Sequence, residues 1–80
     1  MSDRLTIKKE DDIFSDYPKY TAGRITWAVL FAIVAWRNRH GVASISADDV
    51  REYRDEGYGP SQAGLEMGLI DYGQATGIYD

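Results

Sequence analysis

Twelve residues, Ile25 to Trp36 (ITWAVLFAIVAW), form the only long apolar run in this 80-residue chain. A domain this small buries a modest share of its surface, so its core must be built around that run. Read as a helix, the run predicts an element over 22–40, beginning near Thr21 or Ala22. Gly41 follows, where a left-handed C-terminal cap fits. Arg37, Arg39 and His40 fall in the last turn, where positive charge complements the helix dipole.

The apolar side chains of this helix do not form one stripe. Ile25, Val29, Ala32, Ile33 and Trp36 share a face, and Trp27, Leu30, Phe31 and Val34 cover most of the rest. Such a helix is expected to be buried on more than one side. A membrane span needs about 20 apolar residues, and Arg24 and Arg37 close this run at both ends, so no membrane crossing is expected. Any apolar face left uncovered predicts self-association, and a homodimer is one reading of the chain.

Residues 3–9 (DRLTIKK) alternate weakly, with Leu5 and Ile7 on one side, which suggests a short N-terminal strand or arm. EDDIFSDYPKY reads as a loop laying Ile13, Phe14, Tyr17 and Tyr20 on the core. The expected organisation is a single domain over 1–80, with an arm at 1–20 and a helical core at 21–80. After Gly41, VASIS reads as a short strand or a plain linker. Ser46 with Asp49 three residues on makes a capping-box-like start for a helix over 47–56. Asp48 and Asp49 favour its first turn, Val50 and Tyr53 mark its buried side, and Gly57 ends it.

GYGP is a turn, and Ser61 is the expected N-cap of a third helix over 61–72. On that helix Leu65, Leu69 and Tyr72 would share one side, and Ala63, Met67 and Ile70 another. Gly64 and Gly68 would let it approach another backbone closely. In the tail, Ile78 and Tyr79 are the expected anchors, and IDYGQATGIYD is alternatively a hairpin. The expected fold class is mainly α, a compact three-helix domain around a central apolar helix. An α+β fold is the alternative if the N-terminal strand or C-terminal hairpin forms.

The chemistry is bounded by what the chain carries. It has no cysteine, so no disulfide or thiolate chemistry is available. His40 is the only histidine and sits among arginines at a helix end, where it reads as a cation rather than a general base. Neighbouring carboxylates (Asp11–Asp12, Asp48–Asp49, Asp55–Glu56) point to different sides of a helix and make no dyad. Nothing matches a calcium loop, a zinc site or a phosphate loop. The expectation is a non-enzyme with no cofactor and no metal. The charged start MSDRLTIKKEDD does not read as a signal peptide, and a cytoplasmic setting is expected.

Net charge is −4, and it is unevenly spread. Residues 1–40 carry seven Lys/Arg against five Asp/Glu, whereas residues 41–80 carry Arg51 and Arg54 against eight acids, a balance of −6. An acidic half repels nucleic acid and attracts basic surfaces. DDVREYRDEG and PSQAGLEMG, joined by a glycine turn, are laid out like a helix-turn-helix pair, and the terminal hairpin would complete a small winged helix. A DNA-binding regulator of that kind would use Arg37, Arg39, Lys8 and Lys9 on phosphates. Its recognition helix, Ser61–Gly68, would hold no Lys or Arg and carries Glu66. Phosphate contacts need cations, so direct nucleic-acid binding is the lesser reading.

Two resemblances add to this. EGYGPSQAGL, with LIDYG after it, is similar to a segment near the N-terminus of archaeal-type ribosomal proteins of the fifteenth small-subunit family. The resemblance supports a helix from Ser61 and implies no ribosomal role, since that family's basic remainder is absent. In size, acidity, lack of cysteine and lack of enzyme motifs, the whole chain resembles the small acidic inhibitors that phages carry against bacterial defences, such as the anti-CRISPR proteins. That resemblance implies a stoichiometric inhibitor whose acidic face occupies a basic nucleic-acid channel on a partner complex and blocks target binding. The expected partner is a basic protein or nucleoprotein complex. The expected partner-binding residues are Asp48, Asp49, Glu52, Asp55, Glu56, Glu66 and Asp71, with Tyr58 as an exposed anchor.

Overall fold

The central helix is set by Thr26, a residue inside the apolar run. Its backbone is extended and its hydroxyl accepts the Val29 N–H at 3.2 Å, so α1 spans Trp27–Arg39. In this computed structural model, residues 16–78 are described. The expected strand at 3–9, with Leu5 and Ile7, and the anchors Ile13, Phe14 and Tyr79 lie outside the described residues. The helix expected from residue 22 is therefore shorter at its start. Ala22 and Gly23 form a turn instead, closed by the Arg24 N–H on the Thr21 carbonyl at 2.9 Å. The expected C-terminal cap is present: Gly41 has φ +68, and the Val42 N–H reaches back to the Arg37 carbonyl at 2.9 Å.

α2 spans Ala47–Asp55. Ser46 caps it as expected, although its hydroxyl accepts from Asp48, one residue earlier than a capping box requires, at 3.0 Å. Between α1 and α2, residues 42–46 belong to no helix or strand. The Asn38 side-chain amide pairs with this linker, donating to the Ile45 carbonyl at 2.6 Å and accepting its N–H at 3.2 Å. A side chain one helix back thus satisfies the linker's backbone, which is why it needs no strand partner.

The third expected helix is two. α3 spans Pro60–Glu66 and α4 spans Tyr72–Thr76. The N-cap of α3 is Gly59, with Pro60 in the first turn where its missing N–H costs nothing. Ser61, the expected cap, lies inside the helix and donates to the Ala75 carbonyl of α4 at 3.5 Å. The chain turns back at Gly68, whose φ of +73 is open to glycine without strain. There the Leu69 N–H bonds the Gly64 carbonyl at 2.8 Å and the Gly68 N–H bonds the Leu65 carbonyl at 3.1 Å. This reversal brings Leu69 and Ile70 into the core while Leu65 and Tyr72 stay exposed. The shared helical side expected for Leu65, Leu69 and Tyr72 does not exist, because the helix ends before it could form.

α4 stands where the alternative hairpin was expected. Asp71 caps it, accepting the Gln74 N–H at 2.8 Å, while the Gln74 side chain accepts the Asp71 N–H at 2.9 Å. That reciprocal pair is a full capping box and fixes a five-residue helix that propensity alone would not hold. The fold is mainly helical, with four helices and no strand among the described residues.

α1 packs against α2 and α3, α2 against α3, and α3 against α4. The core between them holds Ile25, Leu30, Ile33, Val34, Val50, Ala63, Leu69, Ile70 and Ala75, with Leu30, Ile33 and Val50 wholly enclosed. α1 is not buried on all sides. Its outer arc is Ala28, Ala32 and Ala35, all exposed, so Ala32 departs from the buried face expected for it. Alanines count as apolar in a sequence but lose little by meeting water, because each offers one methyl group.

Gly64 and Gly68, four apart, do separate jobs. A Cβ at Gly68 would meet nothing within 4 Å, so its role is the turn. A Cβ at Gly64 would lie 2.9 Å from Ile70 Cδ1 and 3.0 Å from Leu30 Cδ2. The close approach expected there is to buried side chains rather than to another backbone.

The segment ahead of α1 is tied down twice. Tyr17 and Tyr20 lie against the core, and the Gly23 N–H donates to the Gln74 carbonyl at 2.8 Å. Asp16 takes three donors from the end of α1: Trp36 Nε1 at 2.8 Å, Arg39 Nη2 at 3.0 Å, and His40 Nε2 at 3.2 Å. Trp36 is also held edge-on by Tyr17, with ring centroids 4.8 Å apart. These bonds, with Trp36 first and His40 next, hold the Asp16 carboxyl well below the usual carboxylate range.

A depressed acid stabilises the fold above its unfolded value, and that contribution is lost as pH falls through the carboxylate range and below. Asp16→Asn should therefore be less stable at neutral pH. Its melting temperature should fall less steeply than the wild type's between about pH 5 and pH 2. Parallel acid curves for the two proteins, followed by tryptophan fluorescence, would remove Asp16 from the acid response.

Candidate functional site

The site is built on α2, whose rotation about its axis is fixed by Val50 in the core and the half-buried Tyr53. With that side inward, Asp48, Asp49, Glu52, Asp55 and Glu56 are all exposed. The two cations of the helix do not mix evenly among them. Arg51 and Arg54 both lie over the Phe31 ring of α1, at 5.7 Å and 5.9 Å from its centroid. Arg51 also pairs with Asp48 one turn earlier. The guanidinium groups are thus drawn to the α1 edge, where an aromatic face attracts them. The opposite edge of α2 is left to carboxylates.

That opposite edge faces the end of α3. The Tyr53 phenol lies between the two elements, and its pKa is raised by desolvation first, then by Glu66, Tyr58, Glu56 and Asp49. Tyr58 packs edge-on against Tyr53, with ring centroids 4.9 Å apart and planes at 71°. It is half-buried on the core rather than standing free in the turn, as expected for an anchor. Its packing has a local cause: the Tyr58 N–H bonds the Tyr53 carbonyl at 3.1 Å as α2 ends, which folds one ring onto the other.

An open cleft of about 390 Å³ lies here, lined by Ile45, Asp49, Glu52, Tyr53 and Met67. A smaller hollow of about 230 Å³, lined by Glu56, Gly57, Tyr58 and Gln62, lies at the other end of α2. The expected site residues therefore divide. Asp49 and Glu52 wall the cleft, Glu56 and Tyr58 line the second hollow, and Glu66 adds its charge at Tyr53. Asp48 and Asp55 stand on the outer arc, and Asp48 is engaged with Arg51. Asp71 serves as the cap of α4, and its charge acts on Tyr20, whose phenol is raised chiefly by burial and then by Tyr17 and Asp71.

Sequence reasoning missed Ile45 and Met67, the apolar floor of the cleft. Ile45 sits in the linker pinned by Asn38, and Met67 is the last residue before the Gly68 turn. Ile45 carries no periodic signal, and Met67 was expected on a helix side with Ala63 and Ile70, not in a cleft against α2.

The basic end of α1 is also occupied. Arg37 donates to the Gly68 carbonyl at 3.2 Å, and Arg39 and His40 share Asp16. Among the described residues, no three histidine or carboxylate side chains gather as a metal-holding group. Among them, too, no helix is long and apolar enough to cross a membrane. Compared with protein-family models, with curated proteins and with solved structures, the chain matches none.

Proposed function

We propose that this chain is a non-catalytic inhibitor that docks the acidic edge of α2 on a basic protein or nucleoprotein complex. Docked there, it covers a surface the partner uses to hold nucleic acid. The observation that carries this reading is the sorting of charge on α2. Its two arginines sit on Phe31, and Asp49, Glu52 and Glu56 are left on an exposed edge with Glu66 beside it, Asp48 and Asp55 standing on the outer arc. Complementary charge would speed encounter and select the partner, and the apolar residues Ile45 and Met67 in the adjoining cleft would add affinity. The likeness in size, acidity and lack of cysteine to phage-encoded inhibitors such as the anti-CRISPR proteins supports the same reading, under which the encounter would be cytoplasmic.

The helix-turn-helix regulator gains no comparable support. α4 takes the place of its wing, α3 has no Lys or Arg, and Arg37, Arg39 and His40 are engaged within the chain. The homodimer reading rests on the exposed Ala28, Ala32 and Ala35, a face with little area to bury.

The test is a variant carrying Asp48→Lys, Asp49→Lys, Glu52→Lys and Asp55→Lys. All four side chains are exposed, so the fold should survive, as read by circular dichroism. Capture of the partner from nuclease-treated host lysate should be lost. Wild-type capture should disappear at about 0.5 M salt, where screening reaches only a few Å. Capture that is unchanged by the reversal would remove the acidic edge from the interface.

A further inference from the structure

The cleft walled by Asp49 and Glu52 has a chemistry more specific than an acidic surface. Its floor is Ile45 and Met67, and one wall is the Tyr53 ring, held in place from behind by Tyr58. Asp49 and Glu52 are three residues apart on α2, so both carboxylates project from the same side of the helix. Among the described residues the ion pairs are Arg39–Asp16, His40–Asp16 and Arg51–Asp48. Asp49 and Glu52 take part in none of them, and the arginines of α2 are committed to Phe31 on its other edge.

Three other surface hollows lack this combination. The one over Asn38 to Ser46 has no charged wall, the one over Tyr17 to Ala22 carries Lys19, and the one beside Tyr58 has Glu56 alone.

We propose that this cleft receives one arginine side chain of the basic partner. Its methylene stem would lie along Ile45 and Met67, and its guanidinium would sit against Tyr53 between Asp49 and Glu52. The proposal rests on the docking reading above and names the group that reading leaves open. Arginine is chosen over lysine on three grounds. Its planar head stacks on an aromatic ring, it forks onto carboxylates, and it gives up water more readily than an ammonium group. A long cationic side chain buries its apolar stem while its head stays with the carboxylates, which matches a cleft with a greasy floor and an acidic rim.

The experiment is a titration of the ¹⁵N-labelled full chain with N-acetyl-arginine N-methylamide at low salt. The citrulline and lysine counterparts are run in parallel. Shift changes should concentrate at Ile45, Asp49, Glu52, Tyr53 and Met67. The neutral citrulline compound should bind about tenfold more weakly, having lost the charge-assisted bonds. The double variant Asp49→Asn/Glu52→Gln should lose the response. Lys19→Gln, in the separate hollow over Tyr17 to Ala22, should keep it.

An absent response, or shifts spread over Asp48, Asp55 and Glu56, would overturn the proposal, as would an equal response to citrulline. An equal response to the lysine compound would overturn the assignment to arginine. The two readings fail separately. If arginine leaves the cleft undisturbed while the fourfold charge reversal still abolishes partner capture, the cleft proposal falls and acidic docking stands. If the reversal leaves capture unchanged, docking falls and the cleft proposal falls with it.

Discussion

Leu30→Ala should remove a large share of this domain's stability. Leu30 is wholly enclosed at the crossing of α1 with α3 and lies against the space that Gly64 leaves open. Removing a buried leucine side chain costs about 2–5 kcal/mol, with the upper end reached where the surroundings cannot collapse. A chain of this length has on the order of 4–12 kcal/mol in total, so the loss is a large share. A melting temperature lowered by more than about 10 °C is expected, at roughly 4–8 °C per kcal/mol for a domain of this size. A decrease of only a few degrees would mean that Leu30 is not at the centre of the core.

The same site offers an internal control. Gly64→Ala alone adds a methyl within 3.0 Å of Ile70 and Leu30. Overpacking of that kind costs about 1–3 kcal/mol, against about 1 kcal/mol gained by replacing a helical glycine. In the Leu30→Ala background the new methyl has room, so the two changes should be less harmful together than their separate effects imply.

Gly23→Ala should also be clearly destabilising, although Gly23 is exposed and belongs to no helix. Its φ is +82, which costs a residue with a Cβ about 1–2 kcal/mol. The added Cβ would also lie 3.2 Å from Gly77 Cα and from the Thr76 carbonyl oxygen. Those are backbone atoms and cannot swing aside. To relieve the crowding, the end of α4 must shift by a few tenths of an ångström from the turn ahead of α1, which strains the Gly23–Gln74 hydrogen bond. Gly41→Ala separates the two causes. Gly41 has φ +68, but its Cβ would meet nothing within 4 Å. The difference in melting temperature between the two variants therefore reads the contact alone, and equal losses would show that α4 yields freely.

These expectations bear on the candidate site because it stands on the same scaffold. Met67 reaches the cleft only because α3 stops ahead of the Gly68 turn, and Ile45 only because the Asn38 side chain bonds its backbone. A lesion in the core that frees α3 should therefore blur the cleft before it disturbs the acidic residues on the outer arc of α2.

The sequence by itself determined the elements whose signals are local. The apolar run made a central helix, Gly41 closed it, and Ser46, Val50 and Tyr53 placed and oriented α2. Turn, cap and periodicity each act within a few residues, so they can be read without the rest of the chain. The acidic character of α2 was legible for the same reason. What only the tertiary structure decided depends on residues far apart in sequence. Thr26 rather than Ala22 starts α1, because Gly23 is held against α4 by residues about fifty positions later. The single helix expected over 61–72 became two, because turning back at Gly68 buries Leu69 and Ile70, and that burial outweighs continued helical bonding. Asp16 found Trp36, Arg39 and His40 across more than one turn of α1. Arg51 and Arg54 left the acidic edge for Phe31, a choice set by the packing of α2 on α1, and that packing turned a mixed-charge helix into one with an acidic side.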